Sequence, residues 1–110
     1  MSSYKVRTIP AFERHSKPLL KKYPSLVNEL KELVLSLRED QEQGTPLGMD
    51  CYKIRLAIAS KGKGKSGGAR VVTCVYVVDK TVWLLTIFDK SEQDTISDKQ
   101  LKALVAAIPQ

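Results

Sequence analysis

Cys51-Tyr52-Lys53-Ile54-Arg55-Leu56-Ala57-Ile58, followed after a Gly/Lys/Ser run by Ala69-Arg70-Val71-Val72-Thr73-Cys74-Val75-Tyr76-Val77-Val78, decides how this chain folds. In the first segment Tyr52, Ile54, Leu56 and Ile58 alternate with Lys53, Arg55, Ala57 and Ala59. Successive side chains of a strand point to opposite faces, so this period of two predicts one buried side and one side that carries cations. Residues 60–68 read as a loop and Ala69 to Val78 as the returning strand of a hairpin. Pairing Ser60 with Ala69 sets Ala59 against Arg70, Ala57 against Val72 and Arg55 against Cys74. Lys53, Arg55 and Arg70 then project from the side opposite Tyr52, Ile54 and Leu56. A two-residue slip keeps the three together, whereas a one-residue slip separates them. In this register Arg55 and Arg70 stand roughly 13 Å apart along the ladder, at about 3.3 Å per residue, a gap that two long side chains can narrow onto one phosphate.

Outward from the hairpin, Asp79-Lys80 reads as a tight turn into Thr81–Phe88, a strand apolar on both faces and therefore central. The same turn would set Asp89 opposite Arg70. Upstream, Tyr4–Ile9 can form a short strand, and Pro10 suits the first turn of a helix ending near Lys22, where its missing N–H has no partner to lose. Pro24 opens a second helix in which Leu26, Leu30, Leu33 and Leu37, with Val27 and Val34, recur at helical spacing. Glu29, Glu32, Glu39 and Asp40 mark its solvated side. Residues 41–50, with Gly44, Pro46 and Gly48, read as a loop. Ser97 and Gln100 precede Leu101, Leu104, Val105 and Ile108 as a capping box for a closing helix. The order β-α-α-β-β-β-α defines an α+β fold in a single domain, residues 1–110. A small antiparallel sheet is expected, with the two N-terminal helices packed on one face and a short C-terminal helix.

Charge is distributed in blocks. Lys and Arg less Asp and Glu come to +5 over residues 1–22, −4 over 23–50, +6 over 51–75 and −1 over 76–110. A basic block carried by a folded hairpin suits a polyanion bound through a defined surface. An apolar content of 43% argues against disorder. No apolar run reaches the roughly 18 residues needed to span a bilayer, and the first residues lack the apolar core of a secretory signal, so a cytoplasmic protein is expected. Cys51 and Cys74 are then expected as reduced thiols within strands. They lack metal-like spacing, and His15 by itself cannot complete a zinc site.

Each candidate has a plainer reading. Lys53 and Arg55 could be the wet face of a half-solvated sheet. Arg70 could serve mainly as an ion-pair partner of Asp89, Ser97 as a helix cap and His15 as a surface residue of the first helix. The run Lys61-Gly-Lys-Gly-Lys-Ser-Gly-Gly suggests a phosphate loop, yet the Walker spacing is absent and strands follow it. Lys61, Lys63 and Lys65 are better suited to mobile contacts with RNA phosphates.

Met49-Asp50-Cys51-Tyr52-Lys53-Ile54-Arg55-Leu56, Gly67-Gly68-Ala69-Arg70-Val71-Val72 and Leu84-Leu85-Thr86-Ile87-Phe88-Asp89-Lys90-Ser91-Glu92 together resemble the RelE/ParE superfamily of bacterial toxins, most closely its RelE and HigB branch. The resemblance covers nearly the whole chain. It implies a type II toxin that enters the ribosomal A site and cuts the messenger RNA there as a metal-independent endoribonuclease. The implied partners are a cognate antitoxin, the ribosome, mRNA and rRNA, with no membrane and no cofactor. Carried over by motif, Lys53, Arg55, Arg70 and Lys90 occupy the basic positions of the site. RelE has a tyrosine near its end where this chain has Ser97, and no Tyr or His follows Tyr76.

Metal-free RNA cleavage needs the ribose 2′-OH deprotonated, the phosphorane charge stabilised and the 5′-oxygen protonated. Guanidinium groups suit the second task, assigned to Arg70 and Arg55. Neighbouring cations disfavour the charged form of Lys53, the direction a general base requires, so it is the expected proton acceptor, with Lys90 as the acid. Two other functions fit the same fold. One is a ParE-like inhibitor of DNA gyrase, and the other is a non-catalytic RNA-binding regulator.

Overall fold

The protein's structure, a computed structural model, describes residues 3–62 and 64–109, with Lys65 described in its backbone only. Its elements are β1 (Lys5–Thr8), α1 (Pro10–Lys22), α2 (Leu26–Glu39), β2 (Thr45–Gly48), β3 (Cys51–Leu56), a 3₁₀ turn (Ala59–Lys61), the single helical turn α3 (Gly64–Gly67), β4 (Ala69–Tyr76), β5 (Thr81–Asp89) and α4 (Asp98–Ala106). The α+β class and the placement of the main helices follow the sequence pattern. The sheet does not: it has five strands in the order β1-β5-β4-β3-β2. β1 runs parallel to β5, which makes the sheet mixed where an antiparallel one was expected.

The strand β2 lies within the segment expected to be a loop. Its sequence, Thr-Pro-Leu-Gly, has no alternation to betray it, and Pro46 is tolerated because the strand sits at the sheet edge. The connection to β3 is a two-residue turn in which Met49 and Asp50 both take positive φ, 57° and 60°, the twist that suits a tight hairpin. Gly44, at φ +95°, lies where a Cβ would come within 2.3 Å of the Lys53 carbonyl oxygen. Only glycine lets the chain pass so close to β3.

Two cores flank the sheet. On one face Ile54, Val71, Val75, Val82, Leu84 and Ile87 pack against Phe12, Leu19, Tyr23, Leu26, Leu33 and Leu37 from α1 and α2. On the other, Cys51, Val72, Cys74 and Leu85 pack against Leu101 and Ile108 at the C-terminal end, with Leu104 and Val105 in support. Pro10 stands at the start of α1 as the sequence suggests. Ser97 caps α4, accepting from the Gln100 N–H, while the Gln100 side chain returns to the Ser97 backbone.

Both registers differ from the expected ones for identifiable reasons. Residues 57–68 are consumed by Ile58, buried in the core, and by the two short helical turns, so β3 meets β4 with Arg55 opposite Arg70, Lys53 opposite Val72 and Cys51 opposite Cys74. The displacement is even, so side-chain parity survives. The β4–β5 turn holds four residues, Val77–Lys80, closed by the Lys80 N–H donating to the Val77 carbonyl at 3.1 Å. That turn moves the ladder two positions from the expected register, and a bulge at Val72/Thr73 takes one of them back. Asp89 therefore faces Ala69, and Arg70 faces Phe88.

Gly68 is the tightest point of this hairpin: a Cβ there would lie 2.1 Å from the Leu56 carbonyl oxygen. Replacement by Ala must push β3 and β4 apart at the cationic end. Urea unfolding of Gly68→Ala is expected to show a loss of about 1–3 kcal/mol, and an unchanged midpoint would contradict this packing.

Candidate active site

Cross-strand partners share a face, so the β3–β4 ladder gathers Lys53, Arg55 and Arg70 on the side opposite Ile54 and Val71. Paired residues in an antiparallel ladder have Cα atoms about 4.5–5.5 Å apart, which puts two arginines side by side. Like charges so placed repel unless an anion lies between or beside them. Arg55 is exposed, Lys53 half-buried and Arg70 only 3% exposed.

The burial of Arg70 is matched by acceptors. One terminal nitrogen donates to the Ala69 carbonyl at 3.1 Å, the other to the Ser66 carbonyl at 3.2 Å, and Nε lies 3.4 Å from an Asp94 carboxylate oxygen. Lys53 Nζ donates to the backbone carbonyl of the same Asp94 at 3.1 Å. One acidic residue therefore engages two of the three cations, and its side chain remains 61% exposed. Lys90 is half-buried, one residue past β5, and its N–H donates to the Gly68 carbonyl at 3.0 Å. All four sequence-assigned positions thus converge on one end of the sheet, while α4 packs over the Cys51/Cys74 end of the same face.

Asp89 explains how the segment carrying Asp94 is held. Alternation turns its side chain to the face of α1 and α2, away from Arg70, so the Arg70–Asp89 pair weighed as the plainer reading of Arg70 does not form. Asp89 instead pairs with Lys61 and accepts from the Tyr23 hydroxyl at 2.8 Å. It also accepts from the Ser91 N–H at 2.9 Å and the Ser91 hydroxyl at 2.8 Å. The N–H groups of Glu92 and Gln93 both donate to its carbonyl at 3.0 Å. Burial by itself would push the Asp89 carboxyl up, but hydrogen bonds from Lys61, Ser91 and Tyr23 outweigh it and hold the group well below the usual carboxylate range.

This corrects the reading of Lys61. Its side chain is only 9% exposed and its ammonium is committed to Asp89 and stacked 5.7 Å from the Tyr23 ring centroid. It is a structural cation on the helical face and not a mobile RNA contact. Lys63 and the side chain of Lys65 lie outside the described residues.

Cys51 and Cys74 are directly opposed free thiols, both buried within strands. His15 is exposed on α1, as expected, but its Nδ1 lies 2.6 Å from the Thr86 hydroxyl, a contact with no signature in the sequence. The two line a cleft of about 640 Å³ between α1, the end of β5 and α4, bordered also by Phe88, Gln93, Ile96 and Gln100.

The profile of the family described as "RelE toxin of RelE / RelB toxin-antitoxin system" matches residues 6–108, and the chain belongs to that family. Similar solved structures agree in fold. A double arginine-to-alanine mutant of the E. coli toxin RelE in the free state superimposes with a TM-score of 0.61 at 20% identity, covering 99% of this chain and 100% of that one. The toxin–antitoxin complex RelBE2 from Mycobacterium tuberculosis gives 0.58 at 22% identity, over 81% of this chain and 93% of that one. The isolated E. coli RelE toxin gives 0.51 at 20% identity, over 96% and 100%.

The Asp89 network has a signed pH consequence. In the unfolded chain the carboxyl titrates near 3.9, whereas the folded value is lower, so the unfolded state binds more protons between the two. The stabilisation is present above the unfolded value and is lost as pH falls toward the folded one. Urea unfolding from pH 7 down to pH 3 should show wild-type stability dropping on acidification. Asp89→Asn should start about 3 kcal/mol less stable at neutral pH, because Lys61 is left buried without its partner, and should respond more weakly to acid. Parallel pH curves for the two proteins would contradict the network.

Proposed function

We propose that this RelE-family protein is a ribosome-dependent endoribonuclease that cuts messenger RNA in the A site and so blocks translation in the cytoplasm. The observation that carries this reading is the Arg55–Arg70 cross-strand pair with Lys53 on the same face. Such a row is electrostatically unfavourable by itself and is relieved by a phosphate. Arg55, the exposed guanidinium, binds the scissile phosphate and stabilises the extra charge of the phosphorane. Lys53 Nζ, oriented by the Asp94 carbonyl, adds a second donor. Arg70, held by the carbonyls of Ser66 and Ala69 and with Nε beside the Asp94 carboxylate, fixes the geometry of the row. Lys90 supplies the proton to the departing 5′-oxygen.

A small, open, mainly cationic face has little means of orienting a flexible RNA. The ribosome supplies that orientation by holding the messenger in an attack-ready shape, so activity on free RNA is expected to be slight. Ribosomal RNA would be met through phosphates, with affinity falling as salt is raised. An antitoxin partner is in keeping with the RelBE2 complex among the similar structures, and an acidic or amphipathic segment suits the cationic face.

Single-turnover cleavage on programmed ribosomes tests the assignment. Arg55→Ala should lower the rate by about 10²–10³, the loss of about 2.7–4 kcal/mol of transition-state stabilisation, with ribosome binding reduced much less. Equal loss of binding and cleavage would reduce Arg55 to a docking residue. Induction of DNA-damage signalling without RNA cuts would favour gyrase poisoning.

A further inference from the structure

We propose that Asp94 is a catalytic residue of this site, the carboxylate that takes the proton from the attacking ribose 2′-OH. The inference rests on the endoribonuclease reading and supplies the step for which no residue at the family's tyrosine position is available, since Ser97 is committed to capping α4. In this assignment Lys53, whose Nζ donates to the Asp94 carbonyl, keeps the role of phosphate donor.

Three observations lead there. The Asp94 carboxylate stands 3.4 Å from Arg70 Nε while remaining 61% exposed, so it is both within the cationic row and open to substrate. Its carbonyl holds Lys53, which ties the position of the acceptor to that of a phosphate donor. The segment that carries it is anchored: Ser91, Glu92 and Gln93 are all bound back to Asp89, and the Gln93 side-chain amide donates to the Thr95 carbonyl at 2.7 Å. Among the described residues the charged groups recorded against it are Arg70 on β4, at its carboxylate, and Lys53 on β3, at its carbonyl. Other acceptors are badly placed. Asp89 is buried on the opposite face. His15 is bound to Thr86, which is separated from Lys53 across the sheet by Val72.

The 2′-O–H proton passes to Asp94 as the O2′–P bond forms, the P–O5′ bond breaks, and O5′ takes a proton from Lys90. The products are a 2′,3′-cyclic phosphate and a 5′-hydroxyl, and no metal or redox partner enters the balance.

Asp94→Ala and Asp94→Glu, assayed with the wild type in single turnover on programmed ribosomes, test the proposal. The Ala variant should lose about 10²–10⁴ in rate, keep its ribosome affinity and thermal midpoint, and regain part of the rate on adding formate. The Glu variant should retain part of the rate unaided. Faster or unchanged cutting by Asp94→Ala would overturn the proposal while leaving the endoribonuclease reading intact. A loss that formate does not restore, accompanied by a lowered thermal midpoint, would reduce Asp94 to a structural tie of Arg70. Absence of cutting by the wild type would overturn the endoribonuclease reading itself, and this proposal with it.

Discussion

The buried carboxylate of Asp89 is the constraint on which the rest depends. It lies at the end of β5, the strand between β1 and β4, and faces the core formed with α1 and α2. There it joins Lys61, from the turn after β3, to Tyr23 at the end of α1. A carboxylate with 1% exposure must find partners or be costly to the fold. Those partners bring the β3–β4 connection, α1 and β5 to one place. On the chain's further side, Ser91, Glu92 and Gln93 fold back onto the same residue, ahead of Asp94, which meets Arg70 and Lys53. Structural charge on one side of the sheet thus shapes the chemical site on the other.

Strand parity provides the second condition. Arg55 and Arg70 are opposed because the connection between β3 and β4 occupies residues 57–68, and Gly68 allows β4 to begin within van der Waals reach of Leu56. Like charges in direct opposition repel, and a nearby anion relieves that repulsion. In the free state Asp94 lies beside Arg70 and offsets part of that repulsion.

The hairpin's polarity was legible because alternation over Tyr52–Ala59 survives any even slip. Its register was not, since the lengths of the two turns depend on Ile58 entering the core and on a bulge at Val72/Thr73, neither of which marks the local sequence. The edge strand β2 was hidden by Pro46 and Gly48. The parallel pairing of β1 with β5 joins segments far apart in the chain. Lys61 looked like part of a flexible basic run until its distant partner, Asp89, was placed. Asp94 had no signature because one of its contacts is made by a backbone carbonyl to a lysine 41 residues away. The capping box at Ser97 and Gln100, wholly local, was read without error.

The account stands most directly on what happens to messengers in the cell. Mapping RNA 5′ ends after brief expression should reveal cuts phased to the ribosomal A site, absent when Lys53 and Arg55 are both replaced by Ala although the double variant accumulates as a folded protein. Arrested growth with intact messengers, or the same cuts from the double variant, would contradict the assignment of the basic sheet face as the centre of scission.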